Sequence, residues 1–189
     1  MKIRINLVRI LITIIVSLLC ITNLSCGIIG YQVMKVETAA VHFKFNYPSL
    51  WEKEPLDLTN SRAVLLMELR TAEYDPLYFG VELSPITESQ NIRAQLNRKY
   101  ASSINPEYSV IKVDGYSGDY VNYSWGIADA SYNSETQEVV FETQEYIWRI
   151  FLTYDSRIPQ TSKSDFNRII KTFKILSQTP SQTQQSPVQ

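Results

Sequence analysis

Apolar and polar side chains alternate along residues 41–47 of the chain. The apolar or aromatic positions are Val41, Phe43, Phe45 and Tyr47, and the polar positions between them are His42, Lys44 and Asn46. A period of two predicts a β-strand with one buried face and one face in solvent. Pro48 and Ser49 follow, and we expect the strand to end there.

Six further segments have the pattern or composition of strands: residues 63–69, 78–83, 108–113, 116–125, 139–143 and 145–154. The first and the last of them place large apolar side chains on both faces, which is typical of central strands that are covered on both sides. Asp114-Gly115 separates the third segment from the fourth and predicts the tight turn of a β-hairpin.

Two segments show helical spacing. The first carries an apolar residue at every fourth position, namely Ile92, Leu96, Tyr100 and Ile104. Residues 87–90 precede it with capping-box spacing, and we expect the helix to end at Asn105-Pro106. The second helix places four apolar residues on one face, with Ser162 or Ser164 as its N-cap: Phe166, Ile169, Ile170 and Phe173.

These elements predict an α+β fold, an α/β/α sandwich with a mainly antiparallel central sheet and two main helices. Central strands that are apolar on both faces need cover on both sides, and two amphipathic helices can supply it. We expect the folded domain over residues 37–176. Residues 177–189 have one apolar side chain besides proline and no charge, so we predict a disordered tail.

The N-terminus has the pattern of an export signal. Three basic residues precede an apolar run over residues 10–20, and Ser25-Cys26-Gly27 follows. Ser25 and Cys26 fit the bacterial lipobox, but Asn23 holds the position where leucine is usual, so the match is degenerate. We predict a signal peptide over residues 1–26, lipid attachment at Cys26 and a spacer over residues 27–36.

Two alternatives to this lipoprotein interpretation remain open. Residues 10–31 are long enough to cross a hydrocarbon core of about 30 Å at about 1.5 Å per residue, so the segment could stay as an uncleaved anchor. Ordinary cleavage and release is the other alternative. In each case the basic residues favour a cytoplasmic start, which puts the rest of the chain on the outer face of the membrane.

Charge and cysteine usage limit the classes of function. Removing residues 1–26 removes three of the 18 basic residues and none of the 19 acidic residues, which leaves a net charge of −4. This charge argues against nucleic-acid binding and against electrostatic adhesion to anionic lipid. Both cysteines, Cys20 and Cys26, precede the domain, so the domain has no disulfide and no cysteine-based metal site.

Candidate catalytic groups are few. His42, the single histidine, lies on the polar face of a predicted strand, and no nucleophile-elbow or phosphate-loop motif occurs. The one loose acidic group contains Glu135, Glu138, Glu142, Glu145, Asp114 and Asp119. It could supply oxygen ligands to a metal ion, but it lacks a calcium-loop motif, and we predict neither a metal site nor a cofactor.

Aromatic residues and one cation stand out in the predicted strands. Four tyrosines could form an exposed patch that binds a partner, or could pack across strands with their hydroxyls at the rim: Tyr116, Tyr120, Tyr123 and Tyr132. Arg149 lies between Trp148 and Ile150 in the most apolar strand. We expect it either to pair with a carboxylate on a neighbouring strand or to emerge at the sheet edge.

Residues 45–51, Phe-Asn-Tyr-Pro-Ser-Leu-Trp, resemble the opening motif of the PsbP-like domains, in which an aromatic strand ends in Tyr-Pro-x-x-Trp. Residues 146–154 and 169–174 resemble that family's closing strand and helix, with Thr172 in place of a serine. The resemblance covers about residues 37–176 and implies the Mog1/PsbP fold. Plant members of the family are non-enzymatic subunits of photosystem II, and other members are exported bacterial proteins of unassigned function.

Together these observations predict a membrane-anchored, extracytoplasmic binding or accessory domain without catalysis, resembling a PsbP-like lipoprotein. We expect contact with the membrane through the N-terminal lipid or anchor, a possible protein partner in the envelope, and no nucleic acid. A metal-dependent enzyme that uses the acidic group is one alternative. A structural envelope protein held by an uncleaved signal anchor is the other.

Overall fold

A computed structural model describes residues 30–49, 51–55, 63–71, 74–125, 134–155 and 161–179. From Tyr31 onward these residues belong to one compact unit. Its strands are β1 (Tyr31–Glu37), β2 (Val41–Pro48), β3 (Glu52–Pro55), β4 (Ala63–Thr71), β5 (Tyr74–Pro85), β6 (Ile104–Val113), β7 (Tyr116–Trp125), β8 (Ser134–Glu142), β9 (Tyr146–Asp155) and β10 (Lys174–Gln178). Its helices are α1 (Ser89–Ala101), which follows a short 3₁₀ turn at Ile86–Glu88, and α2 (Thr161–Thr172).

Seven strands form a large antiparallel sheet in the order β3-β4-β5-β9-β8-β7-β6. Consecutive strands pair as neighbours except at the centre, where β5 lies beside β9. Helix α1 and the β6–β7 hairpin lie between these two strands in the chain. The predicted strand segments are confirmed, and β9 is a central strand, as its apolar residues on both faces indicated.

A smaller antiparallel sheet has the order β1-β2-β10. Two predicted boundaries are therefore wrong, because β1 lies largely within the predicted spacer and β10 extends to Gln178, inside the predicted tail. Met34 and Val36 explain the first error, since they lie opposite Phe45 and Phe43 and pack against the core. The second follows from β-pairing of β10 with β2, which is continued by a hydrogen bond from Thr179 N–H to the Ala40 carbonyl.

The main core lies between one face of the large sheet and a layer made of α2 and the small sheet. The four residues predicted to share one helical face are all buried there: Phe166, Ile169, Ile170 and Phe173. Phe173 lies at the centre, with its ring centroid 5.2 Å from that of Phe43 and 5.7 Å from that of Trp148.

Helix α1 covers the opposite face of the large sheet. Ile92 packs with Val140 and Ile147, and Tyr100 packs with Val121 and Tyr123. The predicted α+β fold with two main helices is confirmed, but the layer opposite α1 contains the small sheet as well as α2. Neither of the two helices in the described ranges is long and apolar enough to cross a membrane.

Helix α1 differs from its prediction at both ends. The residue before it, Glu88, makes no side-chain capping hydrogen bond, and the 3₁₀ turn leads directly into the helix. The helix ends at Ala101, and Ile104 is the first residue of β6, where it is exposed. Spacing alone could not detect this break, because Ile104 continues the apolar period of four.

The β6–β7 hairpin has the predicted turn. Val113 pairs with Tyr116 across Asp114 and Gly115, whose φ values of 49° and 90° are those of a two-residue hairpin loop. The Asp114 carboxylate also accepts the Ile175 N–H at 2.9 Å and the Lys174 ammonium at 2.7 Å. The turn is thereby connected to β10 of the small sheet.

Candidate binding groove and buried charge cluster beneath helix α1

A cavity of about 300 Å³ opens between α1 and strands β6 and β7, and we call it the α1 groove. Leu96 and Tyr100 of α1 form one wall, Tyr108 and Val110 of β6 form the other, and Val121 and Val140 are among the sheet residues that line it. Helix α1 packs on β8 and β9 through Ile92 and on β7 through Tyr100, and the groove lies where it faces β6 and β7 at the edge of the sheet.

The β6 wall exposes large apolar side chains. Tyr108 is 63% exposed and Val110 is 69% exposed, although Tyr108 also contacts the Tyr100 ring edge-on at a centroid distance of 6.1 Å. Exposed neighbours of this kind are a common mark of interaction sites. In the part of the chain that the structure describes, β6 has a sheet neighbour on one side only.

Strand β6 also turns backbone groups outward at the same two residues. In a two-residue hairpin the pair that flanks the turn is hydrogen-bonded, and bonded and non-bonded pairs then alternate. Val113–Tyr116 flanks the turn, so Tyr108–Val121 and Val110–Asp119 are non-bonded pairs. The N–H and C=O groups of Tyr108 and Val110 therefore point away from β7, at the open edge.

A cluster of charged residues lies between α1 and the sheet, behind the groove. At its centre is Glu138 of β8, whose side chain has no exposed surface. Tyr100 donates to Oε1 at 2.6 Å, whereas Tyr123 donates to Oε2 at 3.0 Å. Arg149 and Lys99 also donate to Oε2, at 2.7 Å and 3.2 Å. We call Glu138 and these four donors, together with Glu82, the charge cluster.

Arg149 connects the three central strands. Glu82 lies directly opposite it on β5 and accepts a 2.7 Å hydrogen bond, while Glu138 on β8 accepts the other. The guanidinium also stacks over the Phe151 ring, 4.4 Å from its centroid. The expectation that Arg149 pairs with a carboxylate on a neighbouring strand is therefore confirmed, on both sides.

Electrostatics keep the Glu138 carboxylate ionised. Burial alone would raise the pKa of Glu138, but the hydrogen bond and charge of Arg149, with Lys99 and Tyr100, lower it to about 2. Burial lowers the pKa of Lys99 and, together with the Glu138 charge, raises the pKa values of Tyr100 and Tyr123. A general acid or base works best with a pKa near the working pH. The pKa of Glu138 suits a fixed counter-charge better than proton transfer.

The other carboxylates of the predicted acidic group lie apart from Glu138. Arg93 of α1 bridges Glu142 at 2.8 Å and Asp119 at 2.9 Å, and Asp114 lies in the hairpin turn. Glu135 accepts a hydrogen bond from the Tyr154 hydroxyl. Among the described residues, no three or more histidine, cysteine, aspartate or glutamate side chains are arranged to hold a metal ion.

The structure separates the predicted tyrosine patch. Tyr116 and Tyr120 lie on the core side of the large sheet, where their rings contact Phe141 and Phe166. Tyr123 lies on the opposite face, buried in the charge cluster. Strand alternation places odd and even residues of β7 on different faces, so these tyrosines form no single surface. Tyr132 and the predicted lipid site Cys26 lie outside the described residues.

Sequence reasoning missed the α1 groove. The spacing predicts a strand that contains Tyr108 and Val110, but their importance depends on β6 lying at the sheet edge, which sequence spacing does not reveal. The alternation of Tyr108 and Val110 with Glu107 and Ser109 was the available signal. By contrast, His42 is exposed on the polar face of β2, as predicted.

No protein-family model matches the chain, and no curated protein matches it. Solved structures do. LpqN, involved in cell envelope biogenesis of Mycobacterium tuberculosis, aligns with a TM-score of 0.51 and 16% identity, covering 77% of this chain and 91% of that chain. The cyanobacterial PsbP of Synechocystis aligns with a TM-score of 0.50 and 14% identity, covering 80% of this chain and 95% of that chain.

The Saccharomyces cerevisiae Ran-binding protein Mog1p aligns less well, with a TM-score of 0.46 and 12% identity over 79% of this chain and 97% of that chain. The likeness to LpqN and the cyanobacterial PsbP extends over nearly the whole of both proteins. At these identities it concerns the fold alone. The chain therefore has the α+β architecture of the Mog1/PsbP-like proteins, as its opening and closing motifs predicted.

Proposed function

We propose that this protein is a non-catalytic binding domain, held at the outer face of the cell membrane through its N-terminus, whose α1 groove takes an extended segment of a protein partner. The observation that carries the proposal is the coincidence of two features on β6. Tyr108 and Val110 expose apolar side chains beside the groove, and the same two residues direct their backbone groups outward.

An extended peptide can use both features at once. Its backbone would pair with the open edge of β6, and alternate side chains would enter the groove, as in other cases of strand addition. Leu96, Val121 and Val140 give the groove apolar surface, while Arg93 and Asp119 lie at its polar rim. The occupant that suits this arrangement is a short segment with apolar residues at alternating positions.

The charge cluster supports binding rather than catalysis. Lys99 and Tyr100 lie on α1, and both donate to Glu138 of the sheet, so the helical wall of the groove is fixed to the strands behind it. A preformed wall lowers the entropic cost of binding. The carboxylate itself is occupied by four donors and keeps its charge well below neutral pH.

The location rests on the N-terminal pattern. Three basic residues, an apolar run and Ser25-Cys26-Gly27 favour export followed by lipid attachment at Cys26. The structural neighbour LpqN is involved in cell envelope biogenesis. An envelope location for this chain would agree with its N-terminal export pattern. A diacylated or triacylated N-terminus would hold the domain firmly, because two or more acyl chains anchor far better than one.

Mass spectrometry of the mature protein, isolated from membranes of its natural host, tests the anchor. We expect an N-terminus at Cys26 that carries a diacylglyceryl group, and loss of this group from the Cys26→Ser variant. If the mature chain retains residues 1–26, the protein is held by an uncleaved signal anchor and not by a lipid. Recovery of an unlipidated chain in the soluble fraction would contradict membrane anchoring in either form.

Site-specific cross-linking in intact cells tests the groove. We expect a photo-reactive residue in place of Val110 to give one discrete adduct, in which mass spectrometry finds a partner segment with alternating apolar residues. The same residue in place of the exposed Leu176 of β10 should not give it. Tyr108→Ala should weaken the adduct, whereas Tyr78→Ala, at an exposed tyrosine of β5, should not. Equal adducts from both positions, or none from Val110, would contradict the proposed groove.

A further inference from the structure

Three lysines lie side by side on the outer face of the small sheet. The strand register places Lys35 of β1 and Lys174 of β10 directly opposite Lys44 of β2, one on each side. Neighbouring strands are about 4.8 Å apart, so the row spans about 10 Å. Lys35 and Lys174 are exposed, and Lys44 between them is half-buried. All three lie on the outer face, because the buried face of β2 is formed by Val41, Phe43, Phe45 and Tyr47.

This row is poorly neutralised within the described residues. Asp114 pairs with Lys174, whereas Lys35 and Lys44 have no ion pair there. Glu37, the nearest acidic residue along β1 on this face, lies opposite His42 rather than opposite a lysine. Like charges directly opposite on neighbouring strands destabilise a sheet. The row therefore carries a folding cost, and among the described residues no ion pair of Lys35 or Lys44 offsets it.

One more residue extends this face, and the pair formed by Tyr31 and Arg168 lies at the start of the same strand. Val33 lies two residues from Lys35 on β1, on the same side, and is 58% exposed. At the start of β1, the Arg168 guanidinium of α2 lies 3.7 Å from the centre of the Tyr31 ring. We call Val33, Lys35, Lys44 and Lys174 the lysine face, which lies on the layer opposite α1.

We propose that the lysine face rests on anionic phospholipid headgroups of the membrane that holds the N-terminus. This proposal depends on the membrane anchoring proposed above. Tyr31, where β1 begins, follows Cys26 by five residues, and five residues span at most about 18 Å. A lipid on Cys26 would therefore keep Tyr31 within about 18 Å of the headgroups. This tether allows the lysine face to come into contact with the surface, where electrostatic attraction acts over about 8 Å at physiological salt.

The proposal revises what the net charge implied. A net charge of −4 predicts no electrostatic attraction to anionic lipid, but the arrangement of charges decides the local potential. A basic residue near an anionic surface favours contact by about fivefold in the equilibrium constant. Lys35 and Lys44 together would therefore favour contact by about 25-fold, with Lys174 adding less because Asp114 partly neutralises it.

This contact can be tested with lipids whose headgroups carry a quencher, which lowers the fluorescence of a protein residue that lies close to them. The full-length protein, with its natural N-terminus, is placed in vesicles of phosphatidylcholine with or without 30% phosphatidylglycerol. A fluorescent non-natural residue replaces Val33 in one sample and Val110, on the α1 side, in the other. We expect the fluorescent residue at position 33 to be quenched in the anionic vesicles only. The fluorescent residue at position 110 should not be quenched in either kind of vesicle.

A matched pair of variants separates local from net charge. Lys35→Gln with Lys44→Gln should lower the contact equilibrium about 25-fold. Arg98→Gln with Lys112→Gln removes the same charge from the exposed α1 and β6 surfaces and should change it less than twofold. Equal loss in the two double variants, or equal quenching in neutral and anionic vesicles, would overturn the proposal.

Failure of the anchor can be told apart from failure of the lysine face. If mass spectrometry finds a released, unlipidated chain, the proposed anchoring fails. The released protein, with the same fluorescent residue at position 33, can then be titrated with vesicles while its quenching is measured. A preference for anionic vesicles that the Lys35 and Lys44 variants remove would keep the lysine face as a lipid-binding surface, and its absence would overturn that too.

Discussion

Arg149 on β9 lies diagonally across from Glu138 on β8, and its guanidinium donates a 2.7 Å hydrogen bond to the fully buried carboxylate. Glu138 and Arg149 can form this ion pair only in the observed register of β8 and β9. A slip of one residue would move Arg149 to the face that carries Trp148 and Phe141, where an ion could not be paired. The charge cluster therefore specifies the alignment of the central strands as well as holding α1.

Glu138→Gln should destabilise the domain strongly. The substitution leaves Arg149 and Lys99 beneath α1 without their shared counter-charge, and removing one partner of a buried ion pair costs about 3 kcal/mol or more. Urea unfolding measures the change in free energy. Glu142→Gln is the matched control, because its partner Arg93 is 43% exposed and such pairs contribute about 1 kcal/mol or less. Similar losses for the two variants would contradict the importance of burial.

Stability should fall in acid because of the same carboxylate. The pKa of Glu138 is about 2 in the folded state, below its ordinary value of 4.5. A lowered folded-state pKa gives stability that is present above pH 5 and is lost as the pH falls towards 2, in total about 3 kcal/mol. The free energy of unfolding is measured for the wild type and for Glu138→Gln between pH 7 and 2.5. The difference between the two proteins at each pH gives the contribution of Glu138.

The raised pKa of Asp165 acts in the opposite direction, but it is common to both proteins and cancels in that difference. Parallel acid-unfolding curves for the wild type and Glu138→Gln would show that Glu138 does not cause the acid sensitivity.

Lys44→Gln should stabilise the isolated domain. Lys44 lies between Lys35 and Lys174, so its removal relieves two like-charge contacts, worth about 0.5 kcal/mol in the free energy of unfolding. The gain should shrink in 1 M salt, where screening is strong. Lys112→Gln, at an exposed lysine of β6, should leave stability unchanged. A destabilised Lys44→Gln variant would mean that the row is neutralised within the protein.

Gly115→Ala should weaken the β6–β7 hairpin by about 1 kcal/mol. The cause is conformational, because Gly115 has a φ of +90° and a Cβ there would meet no atom within 4 Å. Gly115→Asn should lose less, since asparagine tolerates positive φ better than alanine. Thermal unfolding of the three proteins gives the order. An equal loss for alanine and asparagine would point to a cause other than backbone conformation.

The period of the side chains carried most of the fold prediction. Alternation along β2 correctly indicated a strand with one buried face, and the apolar residues on both faces of β9 correctly indicated a central strand. Both predictions succeeded because the spacing of apolar residues decides which faces of a strand are buried. The ends of elements were less accessible. Ile104 continued the helical spacing although it begins β6. In β1 the apolar residues Val33, Met34 and Val36 fall on both faces, so the segment shows no strict alternation without its partner β2.

The candidate site was harder to predict because it depends on which strands are neighbours. Glu138 and Arg149 are 11 residues apart, and only the order β5-β9-β8 shows that Glu82 completes the cluster. The Lys35–Lys44–Lys174 row likewise comes from three separate strands. Net charge averages over such arrangements, so it does not reveal this row.

The small sheet also determines how the domain would respond to mechanical load. Strands β1 and β10 both pair antiparallel with β2, and the chain enters β1 at the Pro48 end of β2 but leaves β10 at its Val41 end. Force that pulls Tyr31 along the strand axis would load the β1–β2 ladder in shear, so that seven residue pairs share it at once instead of opening one by one. A domain pulled at this end would resist unfolding better than one whose first strand peels away from the sheet edge.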